Sequence, residues 1–480
     1  MTITLTPKQQ KIVDDAVTAV REGRDFSVTG LAGTGKTVVL CMLFRALRDA
    51  GFTPQACAPT GKAAQNISKK FPELAARTLH SALSQSVTDR IKDFYDKLDE
   101  LTKKRDLWKA WNETPEAERV ADGEAPTFTD EEAAALEELP KTIRKLRENI
   151  DTRLDFTAKA RESLAFDVLL FDEASMIGEK IYYDLIDTID MPKVFFGDFG
   201  QLPPIKDEPA IDLRNADAVL DEVHRQKGDS GILKVAYAVN KGQRIKPADF
   251  TDCSDITIIG GDDYSLVLPY ADTHQVVVWQ NKDRHALNLL LREKKLGIRM
   301  GSRSEDWIPQ PGEELICDQN SKNGLFNGDP LLVLPKPEKE PDVPAPRNPY
   351  MRDIWIRRVG DPVENVKRVR LNLANLMPPQ MELGNPHERE DAERFGFKAI
   401  WSYAITCHKA QGSEYPHVVV FRPSTIPQDR DRWLYTAVTR ASQSLVLIGP
   451  EFNAPKAQMR DRNGRTFAER LAAAKERKSA

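Results

Sequence analysis

The chain has 480 residues, 40% of them hydrophobic and 30% charged, with a formal net charge of −4. That length holds roughly two to four domains with cores of their own, and the composition is neither fibrous nor disordered. The slight negative charge excludes a protein that coats nucleic acid by bulk charge. No apolar run is long enough for a transmembrane helix, and the opening MTITLTPKQQ lacks the basic and apolar regions of a secretory leader.

In chain order, Phe26, Ser27, Val28 and Thr29 read as a short buried strand that leads into GLAGTGKT, Gly30 to Thr37. Apolar residues then recur at helical spacing from Val38 to Leu47. This strand–loop–helix context is what G-x-x-x-x-G-K-[ST] needs in order to mean phosphate binding. The glycines Gly30, Gly33 and Gly35 let the loop, with Thr34, present its backbone N–H groups to a phosphate, and the following helix adds a favourable dipole. Lys36 is placed to reach the β- and γ-phosphates and Thr37 to ligate Mg²⁺. A nucleoside triphosphate with Mg²⁺ is the expected cofactor.

Gln55–Pro59 reads as a second strand and Gly61–Ser68 as the start of another helix, so the first 86 residues follow a βα rhythm. The rhythm then stops. Apolar residues step by three and four through Ile91, Phe94, Tyr95, Leu98, Leu101, Trp108 and Trp111, and again through Leu136, Leu139, Ile143, Leu146, Ile150 and Leu154. These are narrow helical seams, joined by a Pro- and Gly-containing connector, and residues 87–160 are expected to form a helical hairpin arm. The arm carries 19 acidic and 14 basic residues, a net of −5 that leaves +1 for the rest of the chain. Direct binding along phosphates is therefore disfavoured for the arm. Its tryptophans are open to two readings, core packing between the helices or stacking on bases.

Strands resume at Phe166–Phe171 and Lys193–Phe196, both short apolar runs suited to a parallel sheet covered on both faces. The first ends in Asp172-Glu173, two carboxylates at the sheet edge where a nucleotide sits. Asp172 is expected to hold Mg²⁺ and Glu173 to orient or deprotonate the attacking water. The second runs into GDFGQLPP, where Gln201 is a neutral donor able to sense the γ-phosphate. Another strand lies at Gln275–Trp279. Residues 301–395 are β-rich and crowded with prolines between 335 and 349, after which apolar strands return at Val418–Phe421 and Leu445–Ile448. A solvated terminal helix is expected over Arg465–Ala480. Five scattered cysteines without a C-x-x-C indicate neither a disulfide framework nor a zinc site, and fit a reducing cytoplasm.

The ordered set of motifs resembles a superfamily 1 (subgroup B) DNA helicase, in the branch containing RecD and the phage Dda helicase. Gln9 in LTPKQ resembles the Q-motif that reads adenine. Ala58-Pro59-Thr60-Gly61-Lys62-Ala63-Ala64 and Thr78-Leu79-His80 resemble the DNA-contacting motifs Ia and Ib, which assigns Pro59, Thr60, Thr78 and His80 to DNA. Asp172-Glu173 and GDFGQLPP are then motifs II and III. His224-Arg225-Gln226 resembles motif IV, with Arg225 reaching the γ-phosphate. Thr406-Cys407-His408-Lys409-Ala410-Gln411-Gly412-Ser413-Glu414 resembles motif V, giving Thr406, His408 and Lys409 to DNA and Glu414 to the nucleotide. Tyr435-Thr436-Ala437-Val438-Thr439-Arg440-Ala441 resembles motif VI, with Arg440 as the second arginine.

The resemblance implies two RecA-like P-loop domains, α/β with parallel sheets covered by helices. The first would comprise 1–86 and 161–205, interrupted by the 87–160 arm or pin. The second would comprise 206–300 and 396–460, interrupted by an SH3-like β insertion at 301–395, with 461–480 as a tail. It also implies ATP-dependent translocation along single-stranded DNA, 5′→3′, with duplex unwinding at single-strand/duplex junctions, in a bacterial cytoplasm or, for a phage protein, that of the host. Two alternatives stay open: an ATP-gated DNA-binding or loading subunit that recruits partners, and an RNA-directed motor. The arm could dock a protein partner, a single-strand-binding protein or replisome component.

Overall fold

The computed structural model describes residues 4–113, 126–149, 156–158, 164–222, 230–298, 301, 303–319, 325–341, 345–422 and 430–452. The chain opens on α1 (Pro7–Arg21), which begins where it does for a local reason. Thr6 Oγ1 accepts the Gln9 N–H at 3.3 Å, Gln9 Oε1 accepts the Thr6 N–H at 3.1 Å, and Pro7 takes the first helical position. The buried stripe Ile12, Val13, Ala16, Ala19 and Val20 then packs against the first sheet. Next come β1 (Phe26–Gly30), α2 (Lys36–Asp49), β2 (Pro54–Ala58), α3 (Gly61–Lys70), β3 (Arg77–Thr78) and α4 (Leu79–Leu83).

The arm follows. A two-stranded antiparallel ribbon of β4 (Ser84–Ser86) and β5 (Phe156–Ala158) forms its root, and α5 (Val87–Glu113) and α6 (Asp130–Asn149) form its body. Lys104 pairs with Glu132 at 2.5 Å and Trp108 faces Phe128 with ring centroids 6.3 Å apart. One residue number rises as its partner's falls, so the helices run antiparallel, as a hairpin requires. Trp108 remains 37% exposed, so it is an edge residue rather than a core one. The seam positions Ile150 and Leu154 lie outside the described residues.

Beyond the arm, β6 (Val168–Phe171), α7 (Glu179–Ile181), β7 (Lys193–Gly197) and β8 (Ala218–Leu220) complete the first domain. Its sheet is parallel throughout, in the order β3-β2-β6-β7-β1-β8. All four residues of β6 are buried, Val168 and Leu170 on one face and Leu169 and Phe171 on the other, which is why this strand reads as a continuous apolar run. The pairing of β8 with β1 gives residues 218–220 to the first sheet, whereas the sequence boundary at 205/206 assigned them to the second domain.

The second domain contributes α8 (Gly231–Asn240), β9 (Ile256–Gly260), β10 (Gln275–Val278) and α9 (Asn281–Leu296) before a β-rich insertion. The insertion holds β11 (Glu314–Cys317), β12 (Pro330–Leu334), β13 (Met351–Arg358), β14 (Lys367–Asn372), α10 (Pro386–Phe395) and β15 (Ala399–Trp401). Its five strands are antiparallel in the order β14-β13-β12-β11-β15, around a core containing Trp307, Tyr350 and Trp401. Residues 399–401 therefore belong to this sheet and not to the second parallel one, where the sequence placed them. The charged run from Pro386 is a capped helix: Asn385 Oδ1 accepts the Glu388 N–H and Glu388 Oε2 accepts the Asn385 N–H, each at 2.9 Å.

The chain then returns through β16 (Ala404–Thr406), α11 (Cys407–Ala410), β17 (Tyr415–Phe421), α12 (Arg430–Val438) and β18 (Ala441–Gly449). The second parallel sheet has the order β16-β10-β17-β18-β9. Two parallel sheets, each covered by helices, are the RecA-like pair that the motif order implied.

One buried ion pair fixes the β-rich insertion to α9. Arg292 Nε and Nη2 donate to the two carboxylate oxygens of Glu313 at 2.8 and 2.9 Å, both side chains at most 2% exposed. Tyr403 donates to Glu313 at 2.7 Å and the guanidinium lies 4.5 Å from the Trp401 ring centroid. Arg292→Met should destabilise the fold by about 3–5 kcal/mol, because it leaves Glu313 buried without its counter-charge. The midpoint of thermal unfolding should fall accordingly, and Arg292→Met with Glu313→Leu should recover much of the loss.

Candidate functional site

Adjacent strands bring the candidate catalytic residues together. β6, β7 and β1 are neighbours running the same way, so their carboxyl ends place Asp172-Glu173, Asp198 and the loop from Gly30 to Thr37 side by side. The loop needs its glycines. Gly33 and Gly35 sit at φ 85°, and a Cβ on Gly30 would lie 2.6 Å from Thr34 Oγ1 and 2.9 Å from Leu220 of β8. Thr34 Oγ1 donates to Leu31 O at 2.8 Å, folding the loop on itself.

Lys36 Nζ donates to Gly30 O at 2.7 Å and Leu31 O at 3.1 Å, and stands 3.6 Å from Asp198 Oδ2. Thr37 Oγ1 donates to Asp172 Oδ2 at 3.3 Å. Asp172 is nearly buried, and burial, together with the charge of Glu173 beside it, pushes its carboxyl up to about 6. A cation at this position would favour the ionised form. The hydroxyl of Thr37 and the carboxylate of Asp172 are hard oxygen donors of the kind that suit Mg²⁺.

Glu173 is one of three non-glycine residues at positive φ among the described residues, at φ 55° and ψ 40°. Its Oε2 is buried without a hydrogen-bond partner, as are Ser175 Oγ two residues on and Gln201 Oε1 beyond the end of β7. Buried unpartnered polar atoms and a left-handed glutamate at one sheet edge make this the candidate functional site. Gln9 reaches this edge as well, its amide nitrogen 3.5 Å from Thr34 O.

The second domain closes over the same edge. Tyr435 Oη accepts the Ala32 N–H at 2.7 Å and donates to Asp198 Oδ2 at 2.7 Å. Tyr237 Oη donates to Ala32 O at 3.1 Å. Motif III is held by motifs V and VI: the Leu202 N–H donates to Thr436 Oγ1 at 2.9 Å and Gln411 Nε2 donates to Leu202 O at 3.2 Å. Arg440 is 5% exposed, and its guanidinium donates to Thr436 O, Ser413 O and Thr439 Oγ1 at 2.9, 3.1 and 3.1 Å. In this arrangement Arg440 ties motif V to α12. Arg225 lies outside the described residues. Glu414 pairs with Lys70 of α3 at 2.9 Å.

Several of the residues assigned to DNA lie where three bodies meet. Thr60 caps α3, accepting the Ala63 N–H at 3.2 Å, and a Cβ on Gly412 would lie 2.8 Å from Ala63 and 3.0 Å from Thr60. A Cβ on Gly61 would lie 3.3 Å from Asp329 and 3.5 Å from Phe326 of the β-rich insertion, with Thr78 at 3.9 Å. Pro59 directly precedes this cap. Thr406 caps α11, and the His408 ring stands 5.9 Å from Trp279, an aromatic neighbour that the sequence did not single out. Burial lowers the pKa of both His80 and His408, favouring neutral rings. Lys409 donates to Asp318 at 2.5 Å and to Asn327 at 2.8 Å, bracing the second domain on the insertion.

Residues 4–258, more than half of the chain, match the AAA domain family. The chain belongs to that family. As an AAA-family chain it carries a second match over residues 402–448, to the UvrD-like helicase C-terminal domain, which spans motifs V and VI. Together with a RecD2 relative, these matches bear out the resemblance to RecD-like superfamily 1 helicases. An uncharacterized protein of Methanocaldococcus jannaschii is 21% identical over 91% of this chain and 37% of its own length. The ATP-dependent RecD2 DNA helicase of Deinococcus radiodurans is 26% identical over 64% of this chain and 40% of its own. The chain thus spans about 40% of the length of the curated relatives it matches. Among solved structures, Pif1 helicase from Candida albicans is 18% identical with a TM-score of 0.49, covering 100% of both chains. Bacteroides Pif1 in complex with ADP-AlF3 and ssDNA is 18% identical with a TM-score of 0.48, covering 99% of this chain and 98% of that one.

Sequence reasoning did not single out the residues of the seam between the two domains of this AAA-family chain. Asp198, Tyr435 and Gln411 stood inside the quoted motifs without a role, and their positions in GDFGQLPP, YTAVTRA and TCHKAQGSE were the available signal. Tyr237 offered none, because nothing local distinguishes it in the apolar helix GILKVAYAVN.

Proposed function

We propose that this chain is a DNA-stimulated ATPase that couples hydrolysis to 5′→3′ translocation along single-stranded DNA and to duplex unwinding. One observation carries the reading. The phosphate loop, motif III and motifs V and VI form a single hydrogen-bonded seam between the two parallel sheets. A change at the nucleotide is then a change in how the domains meet. In this reading Gly30, Gly33, Thr34 and Gly35 cradle the phosphates, Lys36 draws off their charge, and Gln9 reads the adenine. Thr37 and Asp172 hold Mg²⁺, which supplies positive charge at the transferring phosphoryl group when bound. Glu173 orients the attacking water, Gln201 senses the γ-phosphate, and Arg225 and Arg440 complete the charge around it when the domains close.

In this reading Pro59, Thr60, Thr78, His80, Thr406, His408 and Lys409 contact the DNA, and a strand held by both domains would be moved by their closing. These contacts suit phosphates, which position a strand without reading its sequence. Lys409 would have to exchange the Asp318 carboxylate and the neutral Asn327 carbonyl for a phosphate, which replaces its anionic partner by another anion. The intact Lys36, Glu173 and Arg440 favour a hydrolysing motor over a loading subunit.

Strand displacement tests the reading directly, on duplexes tailed only at the 5′ end or only at the 3′ end. Displacement confined to the 5′-tailed substrate is the expected result, and failure on both would favour the loading subunit. The arm is assigned to partners or to the junction rather than to the engine. Ser86 and Phe156 face each other across the root ribbon, so a short turn can replace 87–155. That deletion should leave single-strand-stimulated hydrolysis within about two-fold of the intact chain, by the near-additivity of distant sites. Phosphate release with excess single-stranded DNA checks it.

A further inference from the structure

The second domain does not merely approach the phosphate loop; it holds the loop's tip. Leu31 and Ala32 pack against the second domain's core, and the backbone of Ala32 is bonded on both sides of its Cα, its N–H to Tyr435 and its C=O to Tyr237. Tyr237 lies on α8 and Tyr435 on α12, so two elements of one domain grip a single residue of the other.

Packing alone does not account for the Tyr435 hydroxyl. Its side chain is wholly buried in the second domain's core, where phenylalanine would fill the same space without a polar atom to satisfy. The hydroxyl is instead used twice, accepting from the loop and donating to Asp198. Burial and the neighbouring Asp198 hold the phenol well above its ordinary pKa, which keeps it a neutral donor. Asp198 is itself fully buried, and its carboxylate meets Tyr435 Oη at 2.7 Å, the Gly200 N–H at 3.0 Å and Lys36 Nζ at 3.6 Å.

We infer that Tyr435, assisted by Tyr237, is the positioning residue that reports the state of the phosphate loop to the second domain. The inference rests on the ATPase reading above. When the Lys36 ammonium turns to a triphosphate it leaves Gly30 O, Leu31 O and Asp198 together. The buried carboxylate is left with the Gly200 N–H and the Tyr435 hydroxyl, so its bond to Tyr435 strengthens. Tyr435 begins the stretch of α12 that holds motif III through Thr436 and is followed by Arg440 a little over one turn on. Tightening at Tyr435 therefore sets the register of α12 over the site. The residue acts through Asp198 and the loop and does not itself touch the reacting atoms.

Tyr435→Phe keeps the ring and removes only the hydroxyl. Loss of a hydrogen bond to a charged group predicts a fall of about ten-fold in DNA-stimulated kcat, with affinity for a non-hydrolysable ATP analogue changed by less than about three-fold. Tyr237→Phe, which removes a single neutral bond, should lower kcat by about two- to five-fold with the same split. An unchanged kcat in Tyr435→Phe would overturn the inference. So would parallel losses of kcat and affinity with a lowered melting temperature, since these report a structural role. If the unaltered chain shows no DNA-stimulated hydrolysis, the ATPase reading itself fails, an outcome distinct from either of these.

Discussion

Lys36→Ala should reduce nucleotide hydrolysis by about three orders of magnitude or more, measured as phosphate release with saturating single-stranded DNA. The expectation follows from where the ammonium sits. It is 12% exposed at the side chain, bonded to two carbonyls of its own loop, and 3.6 Å from a carboxylate that sees no solvent. Such a cation is held close to the site where phosphate charge develops, in surroundings that screen it poorly. Alanine also leaves Asp198 without a counter-charge, so some loss of thermal stability is expected alongside the loss of rate. Binding of a fluorescent nucleotide separates the two effects: a folded variant should bind weakly and turn over negligibly. Retention of most of the stimulated rate would remove Lys36 from the phosphate-loop role.

The second large effect is expected at Arg440. Arg440→Ala should lower kcat by about 10³-fold or more while changing nucleotide affinity far less, because a finger arginine acts on charge that appears only in the transition state. The structure adds a condition. Arg440 is bonded to Thr436 O, Ser413 O and Thr439 Oγ1, so reaching a γ-phosphate requires it to give up part of that set when the domains close. Arg440→Lys keeps the charge and loses the planar fork, and should recover little of the rate. Comparable losses of kcat and affinity in Arg440→Ala would show that its work is to hold motif V against α12.

What the sequence made legible is what local chemistry dictates. The phosphate loop is readable because glycine at Gly30, Gly33 and Gly35 is demanded by backbone geometry within eight residues. β6 and β7 are readable because a strand buried on both faces leaves an uninterrupted apolar run ending in polar residues. The arm is readable from helical spacing alone. What stayed hidden is decided across the chain. The strand Ala218–Leu220 has three residues and an exposed valine at its centre, and it joins the first sheet because Leu220 meets a loop that begins without a side chain at Gly30. Ala399–Trp401 announces a strand but not a partner, and Leu315, Ile316 and Cys317 settle that. The helix at Pro386–Phe395 buries only Ala392, too little to show an amphipathic stripe, although its Asn385–Glu388 cap was present in the sequence. Tyr237 and Tyr435 meet Ala32 across 205 and 403 residues, a distance over which no spacing rule operates.

The backbone at Glu173 has a consequence for how this site can change. Glutamate at φ 55° is held in a conformation that costs of order 1 kcal/mol or more and that glycine adopts freely. Its neighbours over-determine the turn: the Glu173 N–H donates to Asp172 Oδ1 at 2.9 Å and its C=O accepts the Met176 N–H at 3.0 Å. Random substitution screened for heat resistance alone would therefore reward glycine here and discard the one carboxylate proposed to align water. Stability and turnover pull this position in opposite directions, and a redesign of the chain guided by stability alone would need to protect it by hand.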